Sequence, residues 1–234
     1  MKLKIIFDKE RTDDRFESGW GIAYLLEDTL FDTGEKFDYL LNNFKAFGIF
    51  PDAIKNVVIS HNHWNHRSGL WDLLKLRQDL KVYGCSDFFH EFKDKLNPSN
   101  FTEVINFSQI SKDIYTTGPF KTLYKADPIL EQSLIAKTKK GISIISACSH
   151  MSLIELINRA KFLFAGEKIN FLIGGFHLIE TDNRLIEYLV KEVKNMGVLN
   201  VAAGHCSGYE AIKAFKQLYG ENLIEIKTGM TLKV

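Results

Sequence analysis

Apolar and polar positions follow two rhythms along the chain, and the switches between them mark out the elements. KLKIIF, near the start, reads as a strand, and GIAYLL and TLFDT, on either side of Glu27 and Asp28, read as the arms of a hairpin. Phe37, Leu40, Leu41, Phe44 and Phe47 recur at helical spacing, and Gly48 with Pro51 just beyond stops that helix. KNVVIS is a short buried strand. SGLWDLLKLRQDL predicts a helix opened by Ser68 with Leu70, Leu73 and Leu74 on one face, and KVYGC a further strand. From about Asp87 to Lys125 no clean period survives, and Asn97, Pro98, Gly118 and Pro119 break this middle region into loops and short strands.

The rhythm returns with SLIAKT and ISIISA, a hairpin that turns at Lys139, Lys140 and Gly141, where glycine can take a positive φ. Helix MSLIELINRAKFLFA, strand INFLIGG, helix TDNRLIEYLVKEVKNMG, strand VLNVAAG, helix YEAIKAFKQLYG and a closing strand LIEIK then alternate. This is α/β organisation, with helices covering sheet faces. No linker or low-complexity segment interrupts it, so residues 1–234 are read as a single domain.

Composition changes this picture little. Thirty basic residues against 29 acidic ones leave a net charge of +1, which gives no reason to expect nucleic acid or an anionic membrane as partner. No run approaches the roughly 20 apolar residues of a membrane span, and the short apolar run before Asp8 is not a signal peptide. Cys85, Cys148 and Cys206 are too scattered for a disulfide framework and fit a reducing compartment. The expectation is a cytoplasmic protein whose partner is a small molecule.

Histidine placement carries more information. His61, His63 and His66 fall within VVISHNHWNHRSGL, and His150, His177 and His205 follow in SACSH, GGFHL and AAGHCSG. NVVIS, ISIISA, INFLIGG and VLNVAAG each end within a few residues of one of these motifs. Ligands bind at the carboxyl ends of strands in α/β sheets, so six histidines converge on one crevice if these strands are neighbours. His61 and His63, two apart, point the same way on extended chain, and His66 swings in from a turn or the first helical turn. Neutral imidazole suits zinc, iron and manganese, and catalytic sites commonly keep three protein ligands. His90, in DFFHEF, stands outside any such setting and is read as an ordinary surface or core residue.

FDTG, ISHNHWNHRSGL, SACSH, GGFHL and GHCSG, in this order along essentially the whole chain, resemble the metallo-β-lactamase superfamily, and within it the branch similar to dihydropterin-ribofuranosylaminobenzene phosphate synthase. The resemblance implies an αββα sandwich: two mixed β-sheets flanked by helices, with a metal crevice at one edge. It further implies zinc, as one or two ions, with iron or manganese as alternatives. His61, His63 and His150 match the family's first metal position. His66 and His205 match the second, where an aspartate usual in the family is replaced by Asn65. His177 stands near a bridging aspartate of other branches, as its substitute or as a substrate contact, and Asp32 matches a residue beneath the site that orients an imidazole.

The implied activity is that of a metal-dependent hydrolase or related transferase, acting through a metal-bound hydroxide on a small anionic substrate, phosphorylated or not. Asn65 bears on it directly, because a neutral amide oxygen neither offsets cationic charge nor takes up a proton usefully. The second position is therefore expected to be the weaker. The alternative is a metal- or ligand-binding protein of the same fold with little turnover. Arg67 either pairs with a substrate anion or faces solvent, and Trp64 and Trp71 are read as packing residues. Diiron reductases of this fold usually carry glutamate at the position of His63, and the nucleic-acid-processing members carry a large inserted domain, so neither is matched.

Overall fold

The computed structural model describes residues 1–234. The first half of the chain forms β1 (Lys2–Phe7), β2 (Ala23–Leu26), β3 (Thr29–Phe31), α1 (Phe37–Ala46), β4 (Asn56–Val58), α2 (Trp64–Arg67), α3 (Leu70–Leu76), β5 (Lys81–Gly84), α4 (Ser86–Phe92) and β6 (Phe101–Glu103). The second half forms β7 (Ser108–Ser111), β8 (Ile114–Thr116), β9 (Phe120–Tyr124), β10 (Asp127–Glu131), β11 (Leu134–Thr138), β12 (Gly141–Ser146), α5 (Leu153–Leu163), β13 (Ile169–Gly174), α6 (Asn183–Asn195), β14 (Val198–Ala203), α7 (Tyr209–Tyr219), β15 (Leu223–Glu225) and β16 (Thr231–Lys233).

These strands make two seven-stranded sheets, β16-β1-β2-β3-β4-β5-β6 and β15-β14-β13-β12-β11-β8-β7, with β9 and β10 as a separate ribbon. Both sheets are mixed: β3, β4, β5 and β6 run parallel, as do β12, β13, β14 and β15, while β1, β2 and β11 are antiparallel to their neighbours. The apolar runs exist because the central strands are buried on both faces. Along β12, Ile144 joins the core under α5, α6 and α7 while Ile145 joins the core between the sheets. Leu172 and Ile173 divide in the same way, as do Val201 and Ala202. Val57 turns towards α1, α3 and α4, and Val58 inwards. Truncating Ile145 to alanine, at the middle layer, should cost about 2–5 kcal/mol. The layers are helix, sheet, sheet, helix, as anticipated.

Four details differ from the sequence reading. Gly69, not Ser68, is the cap position of α3; the Ser68 hydroxyl donates to the Trp64 carbonyl at 2.6 Å. The aperiodic middle contains α4 as well as short strands, and the C-terminal TLK adds β16 beside β1. The strands that end at histidines are also not all neighbours: β12, β13 and β14 adjoin in one sheet, whereas β4 lies in the other. Convergence comes from the sandwich, with Gln132 tying the two rims together. Its Nε2 donates to the Ile59 carbonyl at 2.8 Å and its N–H to the Ser60 carbonyl at 2.9 Å. No helix is long and apolar enough to cross a membrane.

Candidate metal centre

Beyond β4 the chain bends at His61 and Asn62 instead of staying extended, and His63 (φ −79°, ψ 141°) is extended just before α2 begins; the rings of His61 and His63 meet across this bend with centroids 4.5 Å apart. His61 Nε2 and His63 Nδ1 are 2.9 Å apart, near the edge of roughly 3.3 Å that two imidazoles span on a tetrahedral zinc ion. His66 enters from the first turn of α2, its ring 4.2 Å from that of His61. From the second sheet, His150 places its ring 4.9 Å from His61 and 5.3 Å from His63. Ligand atoms of His61, His63 and His150 lie within 4.8 Å of one another.

Three of these rings are held from behind, and the partners fix their tautomers. Glu131 accepts the backbone N–H groups of Cys148, Ser149 and His150 at 3.2, 2.8 and 2.8 Å, and His150 Nδ1 at 2.9 Å. A carboxylate only accepts, so His150 carries its proton on Nδ1 and turns the Nε2 lone pair to the crevice. Asp32 accepts Ser60 N–H, Ser60 Oγ and His66 Nδ1, each at 2.7 Å. The Ser60 hydroxyl, having donated to Asp32, accepts from His61 Nδ1 at 2.8 Å, which leaves His61 Nε2 as a lone-pair donor as well. Asp32 thus supports two histidines from below, the role anticipated for it.

Burial favours the neutral form of His61, His63 and His66. Desolvation first, then the neighbouring imidazoles, push His61 and His66 well below the usual histidine range. Half-buried His63 is lowered to about 4 by desolvation and by His150. Asp32 is itself pushed up by burial, against the pull of its Ser60 bonds. Burial also works to raise Glu131, but hydrogen bonds from His150 and its neighbours outweigh it and hold this carboxyl low. Converging imidazole lone pairs with acceptors behind them are what a zinc-class dication requires, and His61, His63 and His150 fit it, His61 and His150 being backed in this way.

The remaining predicted residues are placed differently. His177 and His205 both adopt left-handed backbone (φ 47° and 48°), and each has a buried Nδ1 with no hydrogen-bond partner. The His177 ring lies 4.4 Å from that of His150. His205 lies 5.2 Å from His66 and 4.8 Å from Trp20, outside the groups whose ligand atoms cluster within 4.8 Å. Asn65 is buried and lines the crevice. Its carbonyl presses on Gly21 (φ 128°), where an added Cβ would come within 1.9 Å of it, so only glycine fits. Arg67 turns away from the crevice, stacking 4.4 Å over Phe92 and lying 3.6 Å from Glu91. Trp71 packs on Phe88 and Phe92, as read from the sequence, but Trp64 is half exposed at the crevice mouth. His90 is exposed on α4. The crevice, about 180 Å³, is walled by Trp20, Trp64 and Tyr124.

No protein-family model matches the chain. The 7,8-dihydropterin-6-methyl-4-(β-D-ribofuranosyl)-aminobenzene-5′-phosphate synthase of Methanocaldococcus jannaschii is 26% identical over 93% of this chain and 91% of its own length. The crystal structure of Tm1679, a metal-dependent hydrolase of the β-lactamase superfamily, superposes with a TM-score of 0.82 at 25% identity, covering 100% of this chain and 99% of that one. The fold is that of the metallo-β-lactamase superfamily. The metallo-β-lactamase fold protein YhfI of Bacillus subtilis also superposes, with a TM-score of 0.67 at 14% identity over 99% of each chain.

Several residues built into this metallo-β-lactamase fold were not singled out from the sequence. Asp8, fully buried, accepts His205 N–H at 2.8 Å and the hydroxyl of Tyr24, so it positions the turn that carries His205. Glu131 does the same for the turn carrying His150. Neither has a local signal, since each reaches its partner from a distant segment. Cys148 and Cys206 did have one, because they sit inside SACSH and GHCSG beside the histidines. Cys148 Sγ is 3.4 Å from His66 Nε2, and Cys206 Sγ accepts the His177 N–H at 3.3 Å. Burial and the Cys206 sulfur push the Cys148 thiol up, whereas hydrogen bonding and charge from Cys148, His205 and His177 overcome burial to hold Cys206 low.

Proposed function

We propose that the protein is a metal-dependent hydrolase or related transferase acting on a small anionic, phosphorylated substrate. The observation that carries this reading is the His61, His63 and His150 set: three imidazoles brought together from two sheets, with His61 and His150 oriented by buried hydrogen-bond acceptors. A divalent ion held there would activate water and draw off the charge that builds on a carbonyl or phosphoryl oxygen. The protein's own part is placement. Ser60 and Glu131 hold His61 and His150 so that little reorganisation is needed, and Asp32 does the same for His66. His177, half-buried with its ring 4.4 Å from that of His150, lies within reach of a substrate bound in the crevice. Asn65 offers amide donors to a substrate oxygen. The aromatic walls, Trp20, Trp64 and Tyr124, suit a flat organic group attached to the anion. The Methanocaldococcus synthase, whose named product combines a dihydropterin, an aminobenzene and a ribofuranosyl 5′-phosphate, supports a substrate of this kind.

Metal analysis of the purified protein by mass spectrometry, followed by assays on phosphoesters and lactones, tests the proposal. One or two equivalents of zinc, iron or manganese together with turnover are expected. Less than about one-tenth equivalent of any transition metal after supplementation would sink it, because the chemistry requires the ion. A second reading, motivated by Asn65, is a metal- or ligand-binding protein with little turnover; a full metal complement with no activity on any of these esters would favour it.

A further inference from the structure

We infer that Cys148, Cys206 and His177 form a sulfur-bearing metal position beside the His61, His63 and His150 set, selective for a thiophilic dication such as zinc. The inference rests on the proposal that the imidazole set holds a metal. Its own basis is the second cluster of ligand atoms: those of Cys148, His177 and Cys206 all lie within 4.8 Å of one another. Cys148 also belongs to a cluster with His61 and His66, and its 3.4 Å separation from His66 Nε2 matches the edge of about 3.5 Å between sulfur and nitrogen on a tetrahedral zinc ion. His66 is therefore available as the fourth ligand.

The geometry is imposed by the sheet. Cys148, His177 and Cys206 follow three adjacent parallel strands, β12, β13 and β14, whose paired registers bring their ends to one line. Ser149, His177 and His205 are all in left-handed conformations there, a costly arrangement that concentrates at sites with a use for it.

Charge gives a second argument. A dication beside another needs anionic ligands, and Asn65 supplies none. The nearby carboxylates are already engaged: Asp32 by Ser60 and His66, Glu131 by the 148–150 turn, Asp8 by His205 and Tyr24. The thiols are the remaining source of negative charge. On coordination each would release its proton to solvent and bind as thiolate, which favours zinc over magnesium or manganese. Cys85 is the contrast: it is equally buried, at the start of α4, and belongs to no ligand cluster.

Reduced, metal-free protein titrated with cobalt(II) and with zinc(II) tests the inference. The near-ultraviolet thiolate-to-cobalt band should grow with the second equivalent, and X-ray absorption of the zinc-loaded protein should show sulfur at about 2.3 Å. The Cys148→Ser, Cys206→Ser double variant should keep one equivalent and lose both signals. If that variant fails to fold, Cys206→Ser alone should lower the band by about half, while Cys85→Ser leaves it intact. Two equivalents with only nitrogen and oxygen neighbours would overturn the inference, as would one equivalent without sulfur, or recovery of Cys148 and Cys206 as a disulfide in fully loaded protein. Absence of all metal binding would instead overturn the proposed function.

Discussion

On the first-sheet side of the crevice, His61 and His66 lean on Ser60 and Asp32, whereas on the second-sheet side His177 and His205 each keep a buried Nδ1 with no partner. His150 belongs with the former in kind, because Glu131 backs it, although it comes from the second sheet. The crevice therefore divides by support and not by sheet. The supported imidazoles are oriented in advance of any ligand. The unsupported ones are held only by backbone and sulfur contacts, and they mark the half of the site where specificity can change at little cost to stability.

Removing the support should produce the largest effect. Glu131→Gln should lower metal affinity at the imidazole set by about 10–100-fold, since groups behind metal-bound histidines typically contribute that much. Asp32→Asn should fall in the same range while acting on His61 and His66 together. Isothermal titration of both variants with zinc checks this, and unchanged affinity in Glu131→Gln would erase the division just drawn.

Adding charge to the poorly supplied half comes next. Asn65→Asp should tighten the second metal equivalent by at least about tenfold, from one unit of negative charge near a dication. Equilibrium dialysis measures it, with deamidation of Asn65 in the parent protein excluded beforehand by mass spectrometry.

A smaller effect concerns pH. His63 has a folded value of about 4 against an ordinary 6.5, so between those limits the unfolded chain binds a proton that the folded chain refuses. His61 and His66 are displaced in the same direction. Asp8 and Asp32, raised by burial, take up protons in the folded state and act the other way, but the three imidazoles outnumber them, so the metal-free protein should lose stability as pH falls from 6.5 towards 4. His177 and His205 are raised, and below 6.5 their contribution is already complete, so they do not reverse the slope. Denaturant midpoints at pH 7 and 5 should show the lower value at pH 5.

Smallest should be Arg67→Ala. Arg67 stacks on Phe92 away from the crevice, so its loss should cost about 1 kcal/mol of stability and leave metal stoichiometry unchanged.

What could be read in advance follows from the range of the forces involved. Strands such as ISIISA and INFLIGG are buried on both faces, so they print as continuous apolar runs, and the histidines just past them were legible as a group. The sheet to which NVVIS belongs was not, because its partners, TLF and KVYG, lie outside its own window. Glu131 and Asp8 were illegible for the same reason: a carboxylate that accepts N–H groups 19 or 197 residues away looks locally like any polar break in a strand. The cysteines were visible but ambiguous, since a small buried thiol serves packing as readily as coordination. The middle region stayed obscure because β6, β7 and β9 are short and half exposed, and leave no sustained period.

The bond between Asp8 and the His205 N–H also has a consequence for how the protein is made. During synthesis the N-terminal strand and its carboxylate emerge early, while the turn that needs them emerges nearly 200 residues later. Until then Asp8 lacks the N–H it will accept, and the edge of β1 that β16 will cover stays open. The nascent chain can neither complete the crevice nor close its first sheet before that turn and β16 are made, so any ligand that needs the whole crevice is taken up late in maturation.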